Sequence, residues 1–458
     1  MTSTENLNTI KNRDLLRMVA KVALPIAAQS LIGSSLSLID NLMVGSLGEL
    51  ELNAVGVSVQ FFFVNWMLLF GFTSGTATFI SQFYGVNDIK NIKRTTGFGL
   101  TVAAMIGLAF FSIGMLLPEY VLRIFTKYPE VIELGVVYIR AGSPCFLFLA
   151  ITQPFTVALR ATQQTRLPLY ASVTALATNT FLNWVFIFGK LGAPALGVQG
   201  AALATSIARF IEMSIILYIV FGRKNIVAGH ISEYFSYTKD LAGRIVRNAL
   251  PTTIQETMWG FGTSLYVAAF ARIGITAGAA IQACNTINNM FSLAAFSIGD
   301  AVLILVGQKL GEGKPELAYE MSKKLTVIGL ILGLIAGIGV ILAGEPLLSM
   351  FDFTEEGADV AMKILIVYGS TLWLNLYNGL HVSGTLRCGG DTKFAMIAET
   401  CTVWFIGVPM AFITSLYFGW PVYFALLAVK LEEVVKGILL TKRYLSKKWV
   451  KNVIHDIN

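Results

Sequence analysis

Apolar residues fall into long runs separated by short polar connections, and this pattern dominates the chain. Each run exceeds about 20 residues, the length that an α-helix needs to cross a bilayer. Because every backbone polar group must be paired inside lipid, such runs predict membrane-spanning helices. The runs are residues 15–46, 53–84, 94–118, 131–159, 166–190, 196–222, 242–272, 277–308, 316–345, 357–386, 392–418 and 420–445. The pattern therefore predicts an all-α polytopic membrane protein with twelve transmembrane helices.

A short pattern of residues occurs twice, at a displacement of 226 residues (251 − 25) that drifts by only one along the chain. The matching positions are Leu24-Pro25-(x)3-Gln29 with Leu250-Pro251-(x)3-Gln255, and Leu159-Arg160 with Leu386-Arg387. A preserved order at a fixed offset indicates an internal duplication. Many secondary transporters are built from two such repeats around a central site. We therefore expect two six-helix lobes related by pseudo-two-fold symmetry.

The longest polar connection divides the apolar segments into two sets of six. We predict an N-lobe at residues 1–222 with helices 1–6, a cytoplasmic linker at 223–241, and a C-lobe at 242–458 with helices 7–12. An even number of spans in each half makes the repeats parallel, with their axis along the membrane normal.

Composition and charge agree with a membrane protein. Hydrophobic residues make up 55% of the chain and charged residues 13%, whereas a soluble domain carries about a quarter charged residues. The net charge of +7 resides in alternate connections and at both termini, which the positive-inside rule places in the cytoplasm. This distribution indicates the cell membrane, with the lipid bilayer and not nucleic acid as partner. The polar residues 1–14 lack the apolar core of a cleaved signal peptide.

Asp40 is an acid in the first apolar segment. It lies 15 residues after Pro25, which is about 22 Å along a helix. A charged side chain at that depth must face the bundle interior, a partner or water. Such an acid can exchange a proton against Na⁺ or against a cationic solute. The alternative is an acid at the membrane interface that caps a helix end.

Asn179 and Asn183 lie four residues apart, and therefore on one face of the fifth predicted helix. Their carbonyl oxygens are suitable ligands for Na⁺ or partners for a protonated Asp40. Together with that carboxylate they form an all-oxygen set that favours a hard cation. The alternative is ordinary hydrogen bonding between helices.

Glu256 is a second acid in an apolar segment, nine residues after Arg247 and so about 13 Å further along the helix. Gln255 precedes it and Trp259 follows three positions later. A carboxylate beside an aromatic ring suits an organic cation. We expect these residues, with Tyr266 as adaptable aromatic lining, to hold substrate or a C-lobe cation. The alternative is a buried acid in a structural pair.

Asp300 is a third embedded acid, and Asn378 is a polar residue in the tenth segment. We treat both as secondary candidates for the C-lobe site. The sequence contains no phosphate-binding loop ending in Lys-Ser/Thr and no nucleophile–base constellation. The four cysteines lack metal-ligand spacing. We therefore expect neither an enzyme nor a cofactor other than a coupling ion.

Several of these segments resemble the MATE (multidrug and toxic compound extrusion) transporters, in particular the bacterial NorM-like branch. The resemblance covers the whole chain. The motifs that carry it are Leu38-Ile-Asp40-Asn-Leu-Met-Val-Gly45, Phe79-Ile-Ser-Gln82-Phe-Tyr-Gly85, Leu305-Val-Gly-Gln308-Lys-Leu-Gly311 and Asn183-Trp-Val-Phe-Ile-Phe-Gly189.

This resemblance implies a cation-coupled antiporter, driven by Na⁺ or H⁺, that exports amphiphilic and often cationic organic compounds by alternating access. Because two lobes can enclose a site without a partner subunit, we expect a monomer to function. Asp40, with Asn179 and Asn183, would form the N-lobe coupling site, and Glu256 would match the seventh-helix acid of the C-lobe. One departure is Leu376, which occupies the place of a further acid in the tenth helix. Asn375 and Asn378 are the nearest polar residues there.

A lipid-linked oligosaccharide flippase of the same superfamily is the alternative function. Those proteins line their cavity with Arg and Lys for a pyrophosphate headgroup. Here the embedded charges are mostly acidic, and we expect the basic residues to lie in loops. The sequence therefore favours the antiporter.

Overall fold

The structure, a computed structural model, describes residues 12–349, 353–455 and 457, and this part of the chain contains helices and turns but no strand. The all-α prediction is confirmed. Residues 1–11, which belong to the N-terminus that we expect to be cytoplasmic and uncleaved, lie outside the described residues.

The first half of the chain folds into eight helices before the polar connection. They are α1 (Asn12–Gly45), α2 (Glu49–Gly85), α3 (Ile89–Leu116), α4 (Pro118–Phe125), α5 (Pro129–Gly142), α6 (Pro144–Ala161), α7 (Arg166–Phe188) and α8 (Val198–Leu217). A π-helical turn, Tyr218–Gly222, extends α8. The short helix α9 (Ile231–Tyr234) lies in the connection itself.

The second half of the chain follows this connection. Its helices are α10 (Lys239–Ala271), α11 (Ile275–Gly311), α12 (Pro315–Leu342), α13 (Gly344–Leu348), α14 (Glu355–Gly379), α15 (Thr392–Thr402), α16 (Val408–Phe412), α17 (Val422–Val429) and α18 (Leu431–Leu445). Three π-helical turns occur here, at Leu380–Leu386, Val403–Gly407 and Ile413–Tyr417. The hydrophobic pattern did not separate the short helices α4 and α13, which follow the third span of each half.

Ten helices in the described part of the chain are long and apolar enough to cross a membrane. The two other predicted segments are helical but more polar. Helix α10 carries five charged side chains between Lys239 and Glu256. The last segment is divided at Lys430 into α17 and α18, and α18 begins with two acids. The chain is a multi-pass membrane protein. Charged side chains of these two segments form part of the site described below.

Prolines and π-helical turns mark the irregular places in these helices. Helices α1, α6 and α10 continue through Pro25, Pro154 and Pro251. Pro409, by contrast, begins α16 directly after the π-helical turn Val403–Gly407. Since proline cannot donate the hydrogen bond that a continuous helix requires, the wider turn accommodates the ring.

The chain forms two compact units. The C-half unit comprises Met1–Ala27, Ser81–Asn87 and Leu250–Asn458, and the N-half unit comprises Ala28–Ile80 and Asp88–Ala249. The first turns of α1 and the end of α2 thus belong with the second half of the sequence. The division into lobes at residues 223–241 stays a prediction.

The core of the C-half unit is apolar and joins residues of four helices. Phe270, Ile281, Leu365 and Leu426, from α10, α11, α14 and α17, are all buried within it. In the N-half unit, Phe61 of α2 stacks on Phe110 of α3 at 5.0 Å and meets Phe146 of α6 edge-on. Large apolar and aromatic side chains therefore fix the helices that position the polar residues described below.

The polar connection is anchored to α3. Lys93 forms an ion pair with Glu233 at 3.0 Å. The pKa of Glu233 is lowered by two hydrogen bonds, one from Lys93 and one from the backbone N–H of His230. The Tyr234 hydroxyl donates to the carbonyl of Val227 at 2.6 Å. A Cβ added at Gly97 would lie 1.9 Å from the carbonyl oxygen of Tyr234. Glycine therefore permits the close approach of α9 to α3.

We expect Gly97→Ala to destabilise the protein, because a backbone atom of Tyr234 must move to admit the methyl group. Overpacking of this kind costs about 1–3 kcal/mol. The matched control is Gly33→Ala, since no atom lies within 4 Å of a Cβ there and alanine is favoured over glycine in a helix. Thermal unfolding of the purified proteins measures the difference. Equal melting temperatures for the two variants would contradict the close packing of α9.

Candidate functional site

The structure brings Asp40, Asn179 and Asn183 together in the N-half unit. The Asn183 Nδ2 donates a hydrogen bond to the Asp40 carboxylate and a second one to Asn179 Oδ1 at 3.1 Å. The spacing of four residues places both amides on one face of α7, which faces Asp40 of α1. We call Asp40, Asn179, Asn183 and Thr205 the N-half cluster, because Asn179 Nδ2 donates to Thr205 Oγ1 at 3.2 Å.

The amides of the N-half cluster are fully buried, whereas Asp40 is half-buried. Asn183 Oδ1 has no hydrogen-bond partner although it is buried. An unpaired buried carbonyl costs about 1–3 kcal/mol. If the Asn183 amide turns over, this oxygen can accept a hydrogen bond from a protonated Asp40 or ligate a cation. The oxygen atoms of the N-half cluster thus fit a proton or a hard cation at Asp40.

A second polar network in the N-half unit was not found from the sequence. Arg160 Nε donates to Gln29 Oε1 at 3.1 Å, and Gln29 Nε2 donates to Ser172 Oγ at 2.8 Å. Ser172 then donates to Glu212 at 2.9 Å, and Glu212 accepts from Arg209 at 2.7 Å. Glu212 is 5% exposed. Its signal in the sequence was a base and an acid three residues apart inside an apolar segment.

The two networks meet at Arg209, which is near enough to Asp40 to interact with it electrostatically. The guanidinium of Arg209 also donates to Glu212 at 2.7 Å, so it interacts with both acids. The N-half unit therefore combines one half-buried acid, a fixed cation and buried amides.

Glu256 has a partner that the sequence did not predict. Its carboxylate accepts from Arg387 Nη2 at 2.8 Å, and Arg387 is 2% exposed. The expectation that the basic residues lie in loops is therefore wrong for Arg387. The pairing favours the structural alternative considered for Glu256, since its charge is already opposed within the protein. Trp259, one turn further along α10, is exposed.

Gln255 belongs to a further set of polar and charged residues. We call this set, Gln255, Glu399, Glu433 and Lys436, the C-half network. Gln255 Nε2 donates to Glu399 Oε2 at 2.8 Å. The other oxygen of Glu399 accepts from Lys436 at 3.4 Å, and Lys436 also pairs with Glu433 at 3.1 Å. Gln255, Glu433 and Lys436 are all less than 4% exposed. The C-half network is therefore an ion cluster buried inside the protein.

Asn378 and Tyr266 complete the C-half network. Asn378 Nδ2 donates to Glu433 Oε2 at 2.6 Å, and Asn375 donates to the other oxygen at 3.1 Å. The Tyr266 hydroxyl donates to Glu432. Asn378 and Tyr266 are thus buried partners of the acids of α18. The two polar residues nearest to Leu376, Asn375 and Asn378, thus both contact Glu433.

Asp300, the third embedded acid, is a residue of α11. It is half-buried. Among the residues that the structure describes, no group of three or more His, Cys, Asp and Glu side chains is arranged to hold a metal ion. The C-half acids are surrounded by hydrogen-bond donors instead.

The chain matches the MatE family twice, over residues 25–185 and 251–413. These two segments together cover more than half of the sequence. The chain belongs to the MatE family. The start points repeat the displacement of 226 residues that the sequence pattern showed, so this MatE protein consists of two copies of the family unit.

Relatives of this MatE protein extend over nearly its whole length. It is 26% identical to the probable multidrug resistance protein NorM of Thermotoga maritima, over 96% of this chain and 94% of the relative. It is 25% identical to the multidrug resistance protein NorM of Burkholderia vietnamiensis, over 87% of each. A crystal structure of a variant of the Vibrio cholerae MATE transporter VcmN superposes with a TM-score of 0.86 at 17% identity, covering 96% of this chain and 99% of that one. The NorM-like resemblance and the fold are confirmed.

Proposed function

We propose that this MatE protein is a cation-coupled antiporter that exports amphiphilic, often cationic organic compounds by alternating access. The observation that supports the proposal most directly is the N-half cluster. A single acid there faces buried amides, and the oxygen of Asn183 lacks a donor. Acids inside membrane-spanning segments commonly mark ion pathways. The names of the relatives, which describe multidrug resistance, support the same class of substrate.

The N-half cluster can alternate between two states. With Asp40 ionised, the amide N–H of Asn183 stabilises the carboxylate. With a bound cation, the same amide can turn its oxygen towards the site and join Asn179 and Thr205 as a ligand. When Asp40 carries a proton, the same Asn183 oxygen can accept a hydrogen bond from it. The ionised state and the ion-bound state of Asp40 make different contacts. A ligand shifts a conformational equilibrium only through such differences, so ion binding can be coupled to the conformational change of transport.

Exposed aromatic side chains offer contacts for amphiphilic substrates. Trp66 stacks on Phe70 at 5.1 Å and is 42% exposed. Trp259 is exposed beside Glu256. Broad specificity suits such surfaces, since aromatic rings bind apolar and cationic groups without a fixed hydrogen-bond pattern.

The setting of this function is the cell membrane, with both termini in the cytoplasm. The coupling ion, Na⁺ or H⁺, would be the only cofactor, and a monomer would suffice. Vesicles containing the purified protein should accumulate a fluorescent organic cation. Flipping of a labelled lipid without transport of the cation would instead support the flippase.

We expect an imposed Na⁺ gradient at clamped pH to drive efflux, because the N-half cluster offers four oxygen-bearing side chains to a hard cation. The comparison is an imposed pH gradient in Na⁺-free buffer, measured in the same vesicles. Transport only under the second condition would overturn the preference for Na⁺. Transport under both would show that the two ions compete for Asp40.

A further inference from the structure

The two halves of the chain contain the same sequence of buried polar contacts. In the N-half unit, Gln29 donates to Ser172, and Ser172 contacts Glu212, which pairs with Arg209 three residues earlier. In the C-half unit the order is Gln255 to Glu399, then Lys436, then Glu433 three residues earlier. These contacts are given by the hydrogen bond and the two ion pairs of the C-half network. Each contact therefore has a counterpart in the other repeat.

The chemistry of the two contact series differs at two points. An acid, Glu399, stands where the N-half unit has the hydroxyl of Ser172. The pair on the last helix of each half is also reversed, because Arg209–Glu212 becomes Glu433–Lys436 along the chain. The second repeat has thus gained a carboxylate in a position that the first fills with a neutral group.

The first glutamine of each series shows the consequence. Gln29 Oε1 accepts a hydrogen bond from Arg160. The corresponding base, Arg387, is paired instead with Glu256. Gln255 Oε1 is left buried with no hydrogen-bond partner, in a side chain that is 2% exposed. This orphaned oxygen belongs to the amide whose nitrogen contacts Glu399.

The charges around Glu399 do not balance. It faces Lys436 and Glu433 of α18 and lies in the field of Glu256 of α10, whose charge Arg387 opposes. Glu432, on α18, is also buried beside Tyr266. Lys430 lies over the ring of Tyr368 and is near enough to Glu432 and Glu433 to interact with both electrostatically. Three acids, Glu399, Glu432 and Glu433, therefore share the two lysines Lys430 and Lys436, and an uncompensated buried charge costs several kcal/mol. At least one acid must carry a cation.

We propose that Glu399 is a proton-binding site of the C-half, held neutral by a proton that it shares with the carbonyl oxygen of Gln255. A protonated Glu399 is an O–H donor, and after the Gln255 amide turns over its Oε1 is the acceptor. Glu433 is a poorer carrier because Lys436, Asn375 and Asn378 all donate to it. A metal ion would have to displace both donors from the Glu399 oxygens, whereas a proton replaces only the Gln255 N–H and leaves the contact with Lys436 in place.

Infrared difference spectroscopy of the full-length protein in lipid nanodiscs tests this directly. A neutral carboxylic acid has a C=O stretching band that an ionised carboxylate lacks. We expect Glu399→Gln to remove one component of this band, and Asp40→Asn to leave that component in place. This band is measured without transport. The assignment of the proton to Glu399 can therefore be wrong while the proposed antiport is right, and the antiport can be wrong while the assignment is right.

Two further variants keep the proposal falsifiable. Glu433→Gln, in the same network, should leave the acid band intact, because Glu433 is ionised. Gln255→Met should shift the band without removing it, because the acid O–H loses its acceptor. Loss of the component in Glu433→Gln, or an unchanged band in both Glu399→Gln and Gln255→Met, would overturn the assignment to Glu399. If Glu399→Gln does not fold, the shift in Gln255→Met decides between the two outcomes.

Discussion

Asp40→Asn is expected to abolish coupled export, reducing efflux by at least about tenfold to the level of empty vesicles. A change of that size corresponds to about 1.4 kcal/mol or more in the coupling equilibrium. The substitution removes the charge that ion and substrate states must neutralise in turn. It keeps the shape of the side chain, and the Asn183 amide can still bond to the new carbonyl oxygen. We therefore expect expression and folding to be largely preserved.

The measurement is efflux of a fluorescent cation from vesicles under one fixed gradient. Asp359→Asn is the matched control, since Asp359 is an exposed acid that pairs only one turn away with Lys363 on α14. Such surface pairs contribute little to stability. Wild-type efflux in Asp40→Asn would make Asp40 a structural acid and would remove the N-half cluster from the mechanism.

Glu256→Gln is expected to have the second large effect, first on folding. The substitution leaves Arg387 charged and 2% exposed. Removing one partner of a buried ion pair costs about 3–5 kcal/mol. The yield of folded protein and its melting temperature should therefore fall. The double variant Glu256→Gln with Arg387→Gln should regain much of that stability, because no buried charge is left unopposed.

The double variant also separates the structural role of Glu256 from a role in substrate binding. If the carboxylate opposes the charge of a bound organic cation, transport of cationic dyes should fall more than that of neutral ones. A neutral compound would lose one hydrogen-bond acceptor, worth about 1 kcal/mol. Equal losses for both classes would assign Glu256 to ion coupling or to folding. Normal stability of the single variant would show that the pair with Arg387 is not maintained in the membrane.

The sequence predicted those parts of the site that depend on local geometry. The spacing of four residues placed Asn179 and Asn183 on one face of α7, and the structure shows them hydrogen-bonded to each other. Asp40 was recognised because an acid in an apolar segment needs a partner. The contact between Asp40 and Asn183 spans 143 residues, a separation over which helical periodicity carries no information.

The C-half was predicted less well for the same reason. Glu399, Glu432 and Glu433 each have a partner on another helix, namely Gln255, Tyr266 and Asn378. The contact of Glu433 with Lys436, by contrast, is local, within α18. Whether an acid there pairs with a base, a tyrosine or a substrate depends on the rotation of each helix about its axis. The single-sequence pattern does not determine that rotation when several faces carry polar residues.

The sequence by itself determined the membrane-spanning helices, the internal repeat and the family of this protein. These follow from the length of apolar runs, which lipid requires, and from residues repeated at a nearly constant offset. Only the tertiary structure decided that Arg387 is paired with Glu256 and that Gln255 is left with an unpaired oxygen. Those outcomes depend on which of several buried acids lies nearest to each base. Electrostatic interactions in a low-dielectric interior change steeply with distance, so the fold, and not the order of residues, determines the pairs.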